Sequence, residues 1–222
     1  EQATARNMTR SATLIPHAWI GRHADVGALE QMRRAYRQSQ PDDAAPLTLT
    51  AILCKAVGSA LAQFPRFNAA FDHRAQEIVY RDYCHIGVAV DTPHGLVVPV
   101  VRDVARASLT EIAQQLQNLS RAARNGQLAA QAMRGAGFTI SNLGGLGVQA
   151  IQPLVSWPQV ALLGIAALDE RLALTADAIA TRVLLPLTLG FDHRVINGGD
   201  AARFLSCVVN LLADPEMLLK EI

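Results

Sequence analysis

The decapeptide Phe191-Asp192-His193-Arg194-Val195-Ile196-Asn197-Gly198-Gly199-Asp200 sets a histidine four residues ahead of an asparagine, where a strand-like run gives way to a helical one. An imidazole at such a junction can be aimed at a pocket and titrates near neutrality, which makes His193 a candidate general base. Asn197 cannot exchange a proton. Its amide either orients the site and steadies an intermediate by hydrogen bonding or caps the following helix, and the two roles are compatible. Gly198 and Gly199 are read as permitting a tight turn.

Both flanks of the junction are legible. Upstream, Val183-Leu184-Leu185-Pro186-Leu187-Thr188-Leu189-Gly190-Phe191 is an apolar run of strand type. Downstream, Ala201, Phe204, Leu205, Val208, Leu211 and Leu212 recur at helical spacing until Asp214-Pro215 stops the pattern.

Elsewhere, Asp25 is placed to cap a helix carrying Val26, Leu29, Met32 and Tyr36. The polar, proline-bounded loop Ser39-Gln40-Pro41-Asp42-Asp43-Ala44-Ala45-Pro46 follows it. A second helix carries Leu49, Ile52, Leu53, Ala56, Val57, Ala60 and Leu61 and ends before Pro65. Ile78-Val79-Tyr80, His85 to Asp91 and Leu96 to Val101 read as strands, the last two joined by the turn Thr92-Pro93-His94-Gly95. Ser108-Leu109-Thr110-Glu111 is a capping box that starts a helix closed by Asn125-Gly126. Phe138-Thr139-Ile140-Ser141 and Val160 to Ile165 are two further strands around a glycine-rich bend at Gly144, Gly145 and Gly147. Helices alternating with strands, without repeats or an interior linker, predict one α/β domain over residues 1–222, a two-layer sandwich with a mixed sheet.

The order of several motifs resembles the catalytic domain of the dihydrolipoamide acyltransferases, the core components of 2-oxo acid dehydrogenase complexes, whose fold is shared with chloramphenicol acetyltransferase. The matching segments are Ile15-Pro16-His17, Phe64-Pro65-Arg66-Phe67-Asn68, His85 to Pro93, Gly95 to Val100, Phe138 to Gly145, Val160 to Gly164 and the decapeptide itself, and they span nearly the whole chain. The resemblance implies acyl transfer between two thiols, dihydrolipoamide and coenzyme A, with the lipoyl arm attached outside this segment. In that reaction His193 takes the attacking thiol's proton, Ser141 donates to the oxyanion, and Asn197 supports the site where the family usually has aspartate. Asp91, Thr92, Gly95 and Leu96 match a family segment near the substrate channel, although Asp91 at a strand end is equally a turn former. Val148-Gln149 replaces the Gly-Thr more common in the family.

Acetyl is the expected acyl group, as in the acetyltransferase of pyruvate dehydrogenase, because Ser141 rather than threonine occupies its motif and no added basic residue nearby suits a second carboxylate. The resemblance further implies trimers whose subunits share each active site, a larger hollow core, and partners in lipoyl domains, a decarboxylase and dihydrolipoamide dehydrogenase. Met217-Leu218-Leu219 is a candidate contact between trimers. The rival readings are a free-standing coenzyme A-dependent acetyltransferase and a non-catalytic structural core.

Composition narrows the field. The 222 residues are 50% apolar with a net charge of +1, enough for a substantial core and without the basic face that nucleic acid demands. Cys54, Cys84 and Cys207 are widely separated in apolar segments, so they read as reduced core residues of a protein in a reducing compartment, such as the bacterial cytoplasm. The remaining histidines, His17, His23, His73, His85 and His94, share no spacing that would build a metal site with His193. No apolar run approaches the ~18 residues of a membrane span. The chain starts at Glu1 rather than methionine and is read as part of a longer protein with upstream lipoyl and subunit-binding domains.

Overall fold

A computed structural model describes residues 2–41, 44–93, 95–174 and 179–219. His94, within the turn read from the sequence, lies outside them, as do Asp42 and Asp43 of the polar loop. The helices are α1 (Gln2–Leu14), α2 (Gly27–Ser39), α3 (Leu49–Gln63), α4 (Leu109–Arg124), α5 (Gly198–Ala213) and α6 (Pro215–Leu219). The strands are β1 (His17–Asp25), β2 (Ala69–Asp72), β3 (Glu77–Tyr80), β4 (Ile86–Val88), β5 (Val90–Thr92), β6 (Gly95–Val97), β7 (Val100–Val101), β8 (Phe138–Asn142), β9 (Ala161–Ile165), β10 (Asp169–Leu174) and β11 (Ile179–Asp192).

The main sheet runs β1-β11-β9-β8-β4-β7, with β10 extending it as a hairpin partner of β11. It is mixed: β4, β8 and β9 are parallel, whereas β11 is antiparallel to both β9 and β1. Period-two alternation divides its faces. Phe138 and Ile140 of β8, Ala161, Leu163 and Ile165 of β9, and Leu185, Leu187, Leu189 and Phe191 of β11 join the residues of α2, α3, α4 and α5 in one core. The two-layer α/β sandwich read from the sequence is the fold observed.

The opposite face is crossed by an extended strap over residues 148–160, to which α1 is tied where Asn7 donates to the Ser156 hydroxyl and Trp157 N–H donates to the Ser11 hydroxyl. Two glycines make room for it. A Cβ at Gly164 would lie 3.0 Å from both Ile151 and Pro153, and one at Gly190 would lie 3.0 Å from the Pro153 carbonyl oxygen. Trp19 Nε1–H donates to that carbonyl at 2.9 Å, and the buried Thr139 hydroxyl donates to Gln159 Oε1 at 2.8 Å. Val155 N–H donates to His17 Nε2 at 3.0 Å, so the strap is tied at several points.

Local signals explain the helices. Thr48 accepts from Ala51 N–H to start α3, and Ser108 with Glu111 forms the full capping box of α4, which Gly126 follows with φ +68°. Asp25 ends β1, and its carboxylate accepts from Gly27 N–H at the head of α2, with Val26 as the N-cap residue. The apolar run His85 to Asp91 divides at Ala89, and Leu96 to Val101 divides at Val98-Pro99. The chain leaves the main sheet there to form the separate β5–β6 hairpin before returning as β7. Cys54 is buried and Cys84 and Cys207 are half-buried, and none of the three is in a disulfide. Burial pushes the Cys84 thiol up to about 11 and Cys54 higher still, so neither is a nucleophile at neutral pH.

Candidate active site

His193 is the first residue after β11, and the turn that carries it is built around a buried carboxylate. Asp192, 1% exposed, accepts from the Arg194 backbone N–H at 3.1 Å and from Arg194 Nε at 2.9 Å, and a second guanidinium nitrogen pairs with its other oxygen. The Asp192 carbonyl accepts from both Val195 and Ile196 N–H at 3.0 Å, while His193 N–H donates to the Pro16 carbonyl at 3.0 Å. Arg194 also lies 4.5 Å above the Phe71 ring and donates to His73 Nδ1 at 3.0 Å, which ties the turn to the β2–β3 hairpin. A bidentate Arg–carboxylate pair of this kind fixes orientation as well as charge. The His193 imidazole is left exposed at the surface, its centroid 5.7 Å from that of Phe191.

Asn197 is the N-cap of α5: its Oδ1 accepts from Asp200 N–H at 2.8 Å, and its Nδ2 donates to Asp200 Oδ2 at 2.8 Å. The capping role anticipated from sequence is therefore real, and these bonds direct the amide to Asp200. Gly198 and Gly199 open the helix rather than a strained turn, and neither is among the glycines with positive φ. Their purposes differ. A Cβ at Gly198 meets nothing within 4 Å, whereas one at Gly199 would sit 3.3 Å from Asn197 Oδ1. Behind the cap, Phe204 stacks on Phe67 at 4.2 Å and meets Phe64 and Phe138 at 5.9 and 5.8 Å, so α5 is seated on an aromatic cluster.

Ser141 lies near the other end of β8, half-buried, on the face opposite the core shared with α2, α3, α4 and α5. In register it pairs with Gly164, which pairs with Thr188 of β11. From Thr188 the strand runs on to Asp192 before His193 begins. That separates the serine from the histidine turn by roughly 13 Å along the strand and about 10 Å across two strand spacings. Within one chain Ser141 and His193 do not meet.

The β5–β6 hairpin stands at the Ser141 end, since Ala89, which leads into it, donates to the Ile140 carbonyl at 2.9 Å. Asp91 pairs with Leu96 and Thr92 with Gly95, which has φ +105°; the Thr92 hydroxyl donates to the Gly95 carbonyl at 2.7 Å, and Leu96 is exposed. These four residues form one cluster with each other, on a hairpin that leaves the main sheet beside Ile140 and away from the His193 turn of their own chain. The neighbouring bend follows from close approach. A Cβ at Gly144 would fall 2.7 Å from the Ala166 carbonyl oxygen, and Asn142 accepts from Gly144 N–H at 2.9 Å while donating to the Thr50 hydroxyl at 3.1 Å.

Sequence reasoning overlooked Asp192, Arg194 and His73 as the frame of the turn, and Asp200 as the partner of Asn197. The Asp-x-Arg spacing and the acidic residue three after Asn197 were the available signals; His73 is 121 residues from Arg194 and left none. Met217 is exposed, but Leu218 packs into this chain's own core and presents no surface to another copy. Among the described residues no cluster of His, Cys, Asp and Glu could hold a metal ion, and no helix is long and apolar enough to cross a membrane.

Comparison with known proteins gives a consistent picture. The family model described as 2-oxoacid dehydrogenases acyltransferase (catalytic domain) matches residues 1–220. The dihydrolipoyllysine-residue acetyltransferase component of the pyruvate dehydrogenase complex of Pseudomonas aeruginosa is 41% identical over 218 residues, 98% of this chain and 40% of the relative. The chain thus spans well under half the length of that relative, and 38% of its counterpart from Haemophilus influenzae. Among solved structures, the dihydrolipoamide acetyltransferase of Azotobacter vinelandii aligns with a TM-score of 0.93 at 40% identity, covering 98% of this chain and 90% of that one. It was solved in an investigation of the role of a serine, a histidine and an asparagine in its catalytic mechanism. The cubic core of the pyruvate dehydrogenase multienzyme complex aligns equally well, at a TM-score of 0.93 with the same identity and coverage. Chloramphenicol acetyltransferase shares the fold at a TM-score of 0.61 and 15% identity over 93% of this chain and 94% of that one.

Proposed function

The chain belongs to the family of 2-oxoacid dehydrogenase acyltransferase catalytic domains, and from that membership we propose that it moves an acetyl group between dihydrolipoamide and coenzyme A. The observation that carries the reading is the exposed imidazole of His193 on a turn whose backbone is fixed by the buried Asp192 carboxylate and its pair with Arg194. The serine, histidine and asparagine studied in the Azotobacter enzyme have the same separations along their chain as Ser141, His193 and Asn197 have here, which supports giving these three the site.

In this reading His193 takes the proton from the coenzyme A thiol as sulfur attacks the thioester carbon of the acetylated lipoyl arm. A thiol is only a few per cent ionised at neutral pH, so removing the proton during attack supplies the nucleophile where it is needed. The carbonyl oxygen becomes an oxyanion, stabilised by the Ser141 hydroxyl, and Asn197 supports the site with a donor. Collapse breaks the bond to the lipoyl sulfur, which leaves as thiolate and takes back the proton from the imidazolium, so charge and protons balance.

Because one chain holds His193 and Ser141 too far apart to share an intermediate, each site combines His193 of one copy with Ser141 and the Asp91, Thr92, Gly95 and Leu96 hairpin of another. This favours trimers with sites at the subunit boundaries, assembling into a larger core in the bacterial cytoplasm, with Met217 a candidate contact between trimers. Lipoyl domains, a decarboxylase and dihydrolipoamide dehydrogenase are the expected partners, and upstream lipoyl and subunit-binding domains the expected company in the full chain.

The test is acetyl transfer from acetyl-coenzyme A to dihydrolipoamide by the assembled protein, compared with His193→Ala. Loss of transfer in the variant by about 10²–10⁴-fold supports the reading. Absence of transfer by the assembled wild-type protein overturns it.

A further inference from the structure

Asn197 is gripped at both ends by one residue. The Asp200 backbone N–H donates to its Oδ1 and the Asp200 carboxylate accepts from its Nδ2, each at 2.8 Å. The second Asp200 oxygen, Oδ1, accepts from Arg203 Nη2 at 2.6 Å. Arg203 lies back over the head of α5, where a Cβ on Gly199 would come within 3.5 and 3.6 Å of its terminal nitrogens.

The two halves of an amide are alike in shape and opposite in hydrogen-bonding character. A carboxylate only accepts and a backbone N–H only donates, so Asp200 tolerates one orientation of the Asn197 amide and opposes the flipped one at both ends. A flip would set acceptor against acceptor and donor against donor. With Oδ1 used by the helix cap and one Nδ2 hydrogen by the carboxylate, the second Nδ2 hydrogen is the donor that Asn197 has left to offer an acyl-transfer intermediate.

We infer that Asp200, steadied by Arg203, is a positioning residue that fixes which end of the Asn197 amide is presented to the reaction. The inference rests on the acyltransferase reading above. It also assigns the extra space at Gly199 a purpose: it keeps the amide and the guanidinium free of a side chain between them.

The experiment measures kcat and KM for acetyl transfer in the assembled protein, for Asn197→Ala, Asp200→Ala, Asp200→Asn, Asp200→Glu and the Asn197→Ala/Asp200→Ala pair, with thermal unfolding and assembly size recorded for each. Asp200→Ala lowers kcat about tenfold or more, because misplacing a supporting donor by a fraction of an ångström is costly, and leaves both KM values within about twofold. Asp200→Asn keeps an acceptor opposite Nδ2 and recovers part of kcat. Asp200→Glu keeps the helix-start charge but displaces the carboxylate, and recovers little. In the Asn197→Ala background Asp200→Ala costs nothing further, as coupling through a single partner requires. The inference is overturned if the double variant loses the same factor again, if glutamate restores kcat where asparagine does not, or if Asn197→Ala leaves kcat unchanged. In each of those cases a dead His193→Ala beside an active wild type leaves the acyltransferase reading standing; a wild type that transfers nothing overturns both.

Discussion

The two ends of β11 and its neighbours are built to different standards. At the His193 end the chain completes its own structure: Asp192 is buried and bidentate with Arg194, Arg194 reaches Phe71 and His73, and the Asn197 amide is bonded at both ends by Asp200. At the Ser141 end the serine is half-exposed, the hairpin bearing Leu96 stands clear of the main sheet, and the tip of the β10–β11 hairpin exposes Leu172, Leu174 and Ile179. A self-contained end supplies a group that must hold one orientation, and an unfinished end supplies a surface that another copy can complete. On the proposed reading, the contrast divides the chemistry between a rigid donor of the base and an open receiver.

That division breaks or stands on a mixing experiment. His193→Ala and Ser141→Ala assemblies are each inactive or nearly so, yet co-assembled at equal ratio from unfolded chains they regain roughly a quarter of wild-type transfer. Under random mixing one site in four then pairs an intact histidine with an intact serine from different copies. No recovery in well-formed mixed assemblies would mean that both residues act from one chain. Next in size, Asp192→Ala removes the buried acceptor that holds the Arg194 guanidinium, itself partly open to solvent, and is expected to cost about 1.5–3 kcal/mol in chemical denaturation, as loss of hydrogen bonds to a charged group does. A loss below about 1 kcal/mol would show that the turn does not depend on it. Ser141→Ala should fold normally and lose about 10²–10³ in kcat, the usual cost of one oxyanion donor. A comparable loss of stability there would blur the contrast between the two ends.

Smaller effects sharpen it. Gly164→Ala presses a methyl group on Ile151 and Pro153 of the strap and is expected to cost about 1–3 kcal/mol, read as a lowered denaturation midpoint with unchanged slope. His17 beneath the strap is held below its usual 6.5 by burial, outweighing its bond to Ile15 and the field of Asp192. The unfolded chain therefore binds the proton more readily than the native one. The contribution of neutral His17 is whole above about pH 6.5 and declines as pH falls through the unfolded and then the native value. His17→Gln should flatten the fall in melting temperature on that acid side.

What the sequence disclosed depended on range. The capping box Ser108–Glu111, the apolar stripe of α3 from Leu49 and the strand-to-helix junction at His193 are local patterns in which neighbours in sequence are neighbours in space, and each appears where expected. β1 went unread because His17–Asp25 mixes Trp19, Gly21, Arg22 and His23, and its partner β11 is more than 150 residues away along the chain. β10 reads Asp169-Glu170-Arg171-Leu172-Ala173-Leu174, a charged half followed by an apolar one without alternation and with its leucines exposed, so no buried face announces it. In the site, His193 and Ser141 were recognisable from their motifs, but their separation across β8, β9 and β11 is a matter of strand register that no local pattern encodes.

Register also makes β11 a ruler. Between the level of Thr188, where Ser141 is aligned, and the turn at Asp192, strand length alone sets how far the imidazole stands from the serine's row. Inserting two residues there would keep every side chain on its own face and leave the core pattern intact, yet would advance His193 by about 7 Å. If each copy lends its histidine to the next, as proposed, the same error would recur at every boundary, and the strand's length would then be calibrated by its neighbour's chemistry as well as by its own fold.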